Sequence, residues 1–398
     1  MSRPTAYTDV ADALDGDNPV DVRIAMDYAH RGRWATLRRE TQDAQGRVRL
    51  QRFARASQQR GQMSLRAEVG LYRDLMVFLG VPFVLEDRRV LRPTDLARAS
   101  GLVDEQDSEA NWHSRVRDGV PHIELGAAWG VLNQYRRPGL PTVVLRGATE
   151  ISTGRAMEPC MRGGDCFRGV GRGTLGMSGE VRFSYRYRYA EPYCGFAVGR
   201  TVVTTGDRNF WPAGHLQGDL DREPPTTAGL TVGVALMPWE ARHRFQRLAL
   251  DLRFGATFVS RGREYTSLFD VLGTSSHERL ADGGQRPFAG SEVDSAPFTG
   301  MTVADAHARL SGEVTLRIQA ARYVRFELGI GLFAETPHWL TGAWPCDGRL
   351  LYSDQGQVTC EEGTLNPAFR PLVDRPGYRF QVSDVLGLVS GLSAQATF

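Results

Sequence analysis

Lysine is absent from this chain. All 48 basic residues are therefore arginine, set against 46 acids for a net charge of +2. A GC-rich genome produces such a bias. The functional alternative is a preference for the guanidinium fork, which grips carboxylate and phosphate bidentately. The near-neutral balance excludes a nucleic-acid partner held by bulk charge. Long apolar runs are missing too. Nothing approaches the ~20 apolar residues that a membrane helix needs. No apolar leader follows Met1-Ser2-Arg3-Pro4, so a mature form with a replaced start is expected. Cysteine is scarce, and none of the five has Cys-x-x-Cys spacing. Gly-x-Ser-x-Gly and His-Glu-x-x-His are also absent, so no hydrolase or zinc motif is present and no cofactor is implied.

What is present is period-two alternation, the mark of half-exposed strands. Val20, Val22, Ile24, Met26 and Tyr28 alternate with Asp21, Arg23, Ala25 and Asp27. The same rhythm recurs at Leu65–Leu71, Leu75–Leu85, Ile123–Val131, Leu248–Phe258, Leu310–Ile318 and Val324–Leu332. The clearest run is Leu175–Tyr189, with Val181, Phe183, Tyr185 and Tyr187 on one face and Glu180, Arg182, Arg186 and Arg188 on the other.

Soluble sandwiches alternate as well. Two features favour a membrane. Many runs reach ten residues, whereas soluble strands average about five or six. The links also alternate in length. Tyr72-Arg73-Asp74, Leu132–Leu140, Ala190-Glu191-Pro192, Trp239–Arg242 and Ala321-Arg322 are short; 88–119, 154–172, 206–225, 261–300 and 337–376 are long. Short periplasmic turns and long external loops produce this rhythm in transmembrane barrels. Tyr72, Tyr185–Tyr193, Trp239 and Tyr323 cluster at strand ends, where rings suit the headgroup level. A mean hydropathy of −0.32 fits, because only alternate residues meet lipid.

The chain ends Leu388-Val389-Ser390-Gly391-Leu392-Ser393-Ala394-Gln395-Ala396-Thr397-Phe398. A terminal aromatic behind small or apolar residues at alternate positions resembles the closing strand of bacterial outer-membrane β-barrel proteins. The resemblance implies an integral outer-membrane location, contact with lipopolysaccharide, and Phe398 as the signal read by the barrel-assembly machinery. Asp384 falls on the outward parity, which demands a bulge or loop there.

The expected fold is an all-β, closed, antiparallel up-and-down barrel of twelve strands, or fourteen if 31–60 adds two. That segment shows no lipid-facing stripe, so a hairpin projecting past the membrane is favoured. Residues 1–19 form an N-terminal periplasmic segment and 20–398 one barrel domain. The inner parity carries the expected pore-lining set: Arg23, Arg66, Glu68, Glu124, Arg146, Glu180, Arg182, Arg186, Arg188, Asp251, Arg253, Glu313, Arg317, Arg325 and Glu327. A selective pore would show one sign in excess. Here the signs nearly balance, through cross-strand ion pairs or through opposed charged walls. Arg182-Arg186-Arg188 is the most basic wall, either anion-binding or simply paired. Cys160 with Cys166 and Cys346 with Cys360 are expected to form loop disulfides in an oxidising compartment, with Cys194 left over.

Three functions compete. A porin-like channel for small polar solutes leads. A non-conducting barrel acting through its loops follows. An enzyme or lipid transporter comes last, resting on His277, His307 or His338 as a rim base beside a hydroxyl. Small residues at Ala304, Ala306, Ala308 and Gly312 hint at a homo-oligomer contact.

Overall fold

The computed structural model describes residues 7–15, 18–102, 112–114, 116–159, 169–204, 210, 223–275, 277, 280, 298–346, 350–352, 358–360, 366 and 369–398. Twelve long strands form the wall: β1 (Val22–Gln42), β2 (Val48–Tyr72), β3 (Leu75–Pro93), β4 (His122–Leu132), β5 (Thr142–Ser152), β6 (Thr174–Ser184), β7 (Ala190–Val203), β8 (Thr227–Ala241), β9 (Gln246–Val259), β10 (His307–Ala321), β11 (Val324–Glu335) and β12 (Phe380–Thr397). Each pairs antiparallel with its sequence neighbour. β12 pairs with both β11 and β1, which closes the sheet and leaves no edge. A closed barrel pairs the wall amides from strand to strand within the protein, as hydrocarbon requires, save along the one seam described below.

Alternation decides which side chains meet lipid. Ile24, Leu79, Leu125, Phe196, Phe254, Leu328 and Leu392 are exposed on the outer surface, while Arg23, Asp251 and Arg317 on the other parity are buried. Tyr72, Trp129, Tyr187, Tyr189, Trp239, Phe245, Tyr323 and Phe398 are all exposed at the short-turn end and form an aromatic girdle there. Thr397 and Phe398 bond to Tyr323 and Val22 through the main chain, so the terminal residue sits at the seam that closes the wall. The expected irregularity near Asp384 is real: its φ is 53°, and register shifts between Ser383 and Leu386.

The segment 31–60 is the upper part of one hairpin, not two extra strands. β1 and β2 pair from Val22–Val69 to Gln42–Val48, and β12 follows β1 up to Arg39 as β3 follows β2 up to Ala54, so the hairpin rises with its two flanking strands. The run expected over Leu175–Tyr189 is shorter. β6 stops at Ser184, and 185–189 form the turn into β7, with Arg188 at φ 51°. The short link therefore precedes Ala190 rather than including it. Tyrosines alternating with arginines look like strand in sequence, but here they belong to the girdle.

One seam is interrupted. β3 pairs with β4 only over Leu75–Gly80, then with a short strand, Arg117–Gly119, from Val84 upward. No partner faces Val81–Phe83 on that side among the described residues. Pro82, lacking an N–H, sits inside this gap.

Both ends of the barrel are obstructed. At the short-turn end, residues 7–13 lie inside the wall. Val10 and Ala11 pack on Met76, Phe78, Ala128 and Val144. At the long-loop end, three short helices, α1 (Asp95–Ala99), α2 (Phe269–Gly273) and α3 (Pro371–Asp374), meet the tall strands. There Leu37, Phe53, Trp112, Leu268, Leu272, Val373 and Phe380 form one buried apolar cluster. Phe53 stands edge-on to Phe380 at 4.8 Å and tilts against Trp112 at 5.9 Å.

Candidate functional site: the barrel lumen

The N-terminal segment is held mostly by polar contacts with lumen side chains. Tyr7 stacks on Tyr193 with ring centroids 4.4 Å apart, and its hydroxyl donates to Glu180 at 3.3 Å. Arg182 donates to the Tyr7 carbonyl at 2.9 Å. Thr8 shares a 2.7 Å hydrogen bond with Ser184. Asp9 takes Arg23 at 3.2 Å and Arg325 at 3.3 Å, bridging opposite flanks of the β12 strand. The wall makes room for it. A methyl group at Gly70 would collide with the Asp12 main chain, and one at Gly195 with the Tyr7 hydroxyl.

The remaining lumen charges are paired along the wall. Glu68 lies 3.7 Å from Arg23. Glu124 takes Arg146 at 2.8 Å and Arg66 at 3.7 Å, with both guanidiniums over the Phe78 ring. Asp251, almost fully buried, accepts from Tyr193 at 2.6 Å, Arg317 at 2.8 Å and Arg253 at 3.3 Å. Arg317 also reaches Glu327 at 3.2 Å, and Arg253 lies 3.7 Å from Glu313. Burying an arginine is costly unless it is paired, and this net of opposite charges supplies the pairing.

The basic ladder expected at Arg182, Arg186 and Arg188 does not form one wall. Arg182 is engaged by Glu180 and Tyr7. Arg186 points to Glu240 at 2.9 Å beside the short turns. Arg188 lies in the turn itself, over the Tyr187 ring. The wall loses its ladder because the strand ends at Ser184.

Sequence reasoning missed a different group. Above the N-terminal segment lies a cavity of about 490 Å3 between β9, β10, β11, β12 and β1. Arg31, Arg253 and Arg309 line it with Asp27, Glu313, Glu327 and Phe333. The Phe333 ring lies between Arg31 at 5.0 Å and Arg309 at 5.3 Å. Glu335 takes Arg309 at 2.6 Å and Arg33 at 2.8 Å. The signal was available, since continuing the parity of Val22 along β1 puts Arg31 and Arg33 inside. It went unread because 31–60 was assigned wholly to an external hairpin.

At the top of this cavity, His307, Glu335 and His338 bring potential ligand atoms within 4.8 Å of one another. His307 bonds the Asp305 carbonyl through Nδ1 at 3.1 Å, and His338 bonds that of Thr336 at 2.8 Å. The two rings stack at 3.7 Å and 7°. Parallel rings aim their lone pairs side by side rather than at one point. The single carboxylate is already shared by two guanidiniums, so a divalent cation would meet surplus positive charge. The cluster suits a stacked aromatic pair better than a metal. Burial pushes His338, above the end of β11, down to about 4. No hydroxyl or thiol bonds either ring among the described residues, which leaves no nucleophile beside them. His277 lies in the long loop between β9 and β10.

Cys160 and Cys166 lie outside the described residues. Cys346 is buried, and the short strands Leu350–Tyr352 and Val358–Cys360 form a hairpin nearby in sequence. The side chain of Cys360 is outside the described residues. Cys194 is a free thiol on β7.

Closure, a lipid-facing apolar band, an aromatic girdle and one-sided long loops together define an integral β-barrel of the bacterial outer membrane. No family model and no curated protein matches the chain. Among solved structures it is similar to an outer-membrane channel from Pseudomonas putida F1, at 10% identity over 100% of each chain with a TM-score of 0.48. It is also similar to a FadL homologue of Pseudomonas aeruginosa, at 9% identity over 100% of this chain and 93% of that one, TM-score 0.35. A third is the outer membrane protease OmpT of Escherichia coli, at 7% identity over 95% and 97%, TM-score 0.29.

Proposed function

We propose that the chain is a gated channel for small solutes, closed at rest by its own N-terminal segment. The observation that carries this reading is the seating of residues 7–13 on lumen side chains from both sides of the barrel. A segment held by hydrogen bonds and ion pairs rather than by a large apolar core can leave without unfolding the wall. A permanently open porin would keep that space free. The charged lining suits polar solutes, as does the balance of signs.

Single-channel recording in a planar bilayer tests it. The full chain should show small, infrequent openings, and a variant lacking residues 1–13 should conduct roughly tenfold more. Silence from a deletion variant that has demonstrably inserted would sink the channel reading. It would favour a barrel that acts through its loops.

A second reading has one observation behind it. The gap at Val81–Phe83 offers a sideways exit from the lumen into lipid, suited to apolar solutes. Two further proposals concern maturation. Cys346–Cys360 and Cys160–Cys166 tie external loops, so thiol titration of unfolded protein should find one free cysteine before reduction and five after it. Phe398 serves as the assembly signal, and its deletion should lower the yield of inserted barrel.

A further inference from the structure

We propose that the upper lumen cavity binds a small oxyanion, a carboxylate or a phosphate, at Arg31. This rests on the channel reading and names its solute class. Arg31 and Arg60 stand directly opposite each other in the β1–β2 register, on the same inner face. Like charges placed directly across a strand pair destabilise it. Among the described residues neither arginine forms an ion pair. Arg60 donates only to Gln62 at 2.9 Å, and Arg31 only lies over the Phe333 ring.

The nearby acids are already taken. Glu335 is held by Arg33 and Arg309. Asp87 is held by Arg89 at 3.4 Å and Gln58 at 2.7 Å. Three guanidiniums, those of Arg31, Arg33 and Arg309, therefore share the Glu335 carboxylate, while Arg60 stands between Arg31 on β1 and Asp87 on β3. In the lower lumen the wall arginines are matched with acids. A local rule broken in one place, where Arg31 itself has no acid within ion-pair distance among the described residues, marks a site kept for something the free chain lacks.

The missing partner is an anion. A guanidinium offers two parallel N–H donors that match a carboxylate or phosphate edge. Arg31 is exposed to the cavity, which is of a size for a small molecule. Asp27 lies four residues below Arg31 on the same strand, about 13 Å away along β1. With Glu327 at its level, it repels a second anionic group. The solute is thus a compact anion with a single acidic group, which faces the long loops.

Isothermal titration of the folded, full-length chain in zwitterionic detergent at low salt tests this. The probes are sodium benzoate, sodium phosphate and, as a cation control, tetramethylammonium chloride. Folding of each variant is checked by its gel mobility before and after heating. Benzoate or phosphate should bind, more weakly as salt rises, and Arg31→Gln should weaken binding by about tenfold or more. Arg60→Gln should act in the same direction. Arg49→Gln, at the exposed hairpin tip, should bind like the native chain. The two anions assign the solute as carboxylate or phosphate. Absence of binding by both, equal binding of tetramethylammonium, or full affinity in a folded Arg31→Gln protein would each overturn the proposal. Binding is read here at equilibrium without conduction. Silence in the bilayer alone would therefore overturn the channel and leave the site standing.

Discussion

The two ends of this barrel are closed by opposite chemistries. The short-turn end is filled by a strip of main chain pinned by Asp9, Tyr7 and Thr8 to charged and hydroxyl side chains of the wall. The long-loop end is covered by an apolar cluster in which Leu37, Phe53, Leu268, Leu272 and Phe380 are essentially inaccessible. The difference concerns reversibility. A hydrogen bond exchanged for one to water contributes about 1 kcal/mol net, or about 1.5–3 where a charge takes part, so a polar plug that lets water in behind it can come loose one contact at a time. A buried phenylalanine must leave a cavity behind, at about 3–5 kcal/mol. The lower closure is thus suited to moving and the upper one to staying.

That contrast can be broken from either side. The largest effect is expected from bulk added behind the plug. Gly70→Val or Gly195→Val leaves no room for Asp12 or Tyr7 and should raise open-channel current severalfold, toward the level of the 1–13 deletion. Unchanged current in an inserted variant would show that the segment does not gate. Phe53→Ala should weaken the loop cover by about 3–5 kcal/mol while leaving the barrel intact. The readout is faster proteolysis of external loops with the heat-dependent gel shift preserved. Proteolysis at the native rate would mean the cluster does not hold the cover.

Legibility divides along the same line. The wall was readable because membrane strands obey a two-residue period and the lipid face tolerates few exceptions. Ile24 to Tyr28 and Val324 to Leu332 announce themselves. The bulge at Asp384 was readable for the same reason, as a charge on the wrong parity. The plug was not. Tyr7-Thr8-Asp9-Val10-Ala11 carries no period, and nothing in it says that Glu180 and Arg325 lie beside it in space. Its partners are set by closure of the barrel, a long-range event. The Arg182-Arg186-Arg188 ladder misled because a strand and the turn that ends it can share one alternating pattern.

The smallest effect concerns acidity. His338 is held down to about 4 by burial, beside stacked His307 and within reach of Glu335 and Arg33. Its depressed value means that the unfolded chain binds the proton first. The stability it contributes is complete above about 6.5 and is lost as pH falls toward 4. The loop cover beside Trp339 should therefore loosen across that window by up to about 3 kcal/mol. Iodide quenching of tryptophan, compared with Trp339→Phe, would read it. Quenching that is flat from pH 7 to 4 would remove the imidazole from the account.

The missing contacts at Val81–Phe83 give the wall a mechanical weak line. Along the other seams, widening the tube means breaking a column of main-chain bonds interrupted only by local bulges. Along this one line the column is already cut, and Pro82 cannot complete it. Strain applied to the upper rim, by lateral pressure in the bilayer or by a solute too large for the bore, will concentrate there. The girth of this barrel is thus fixed below Gly80 and elastic above it.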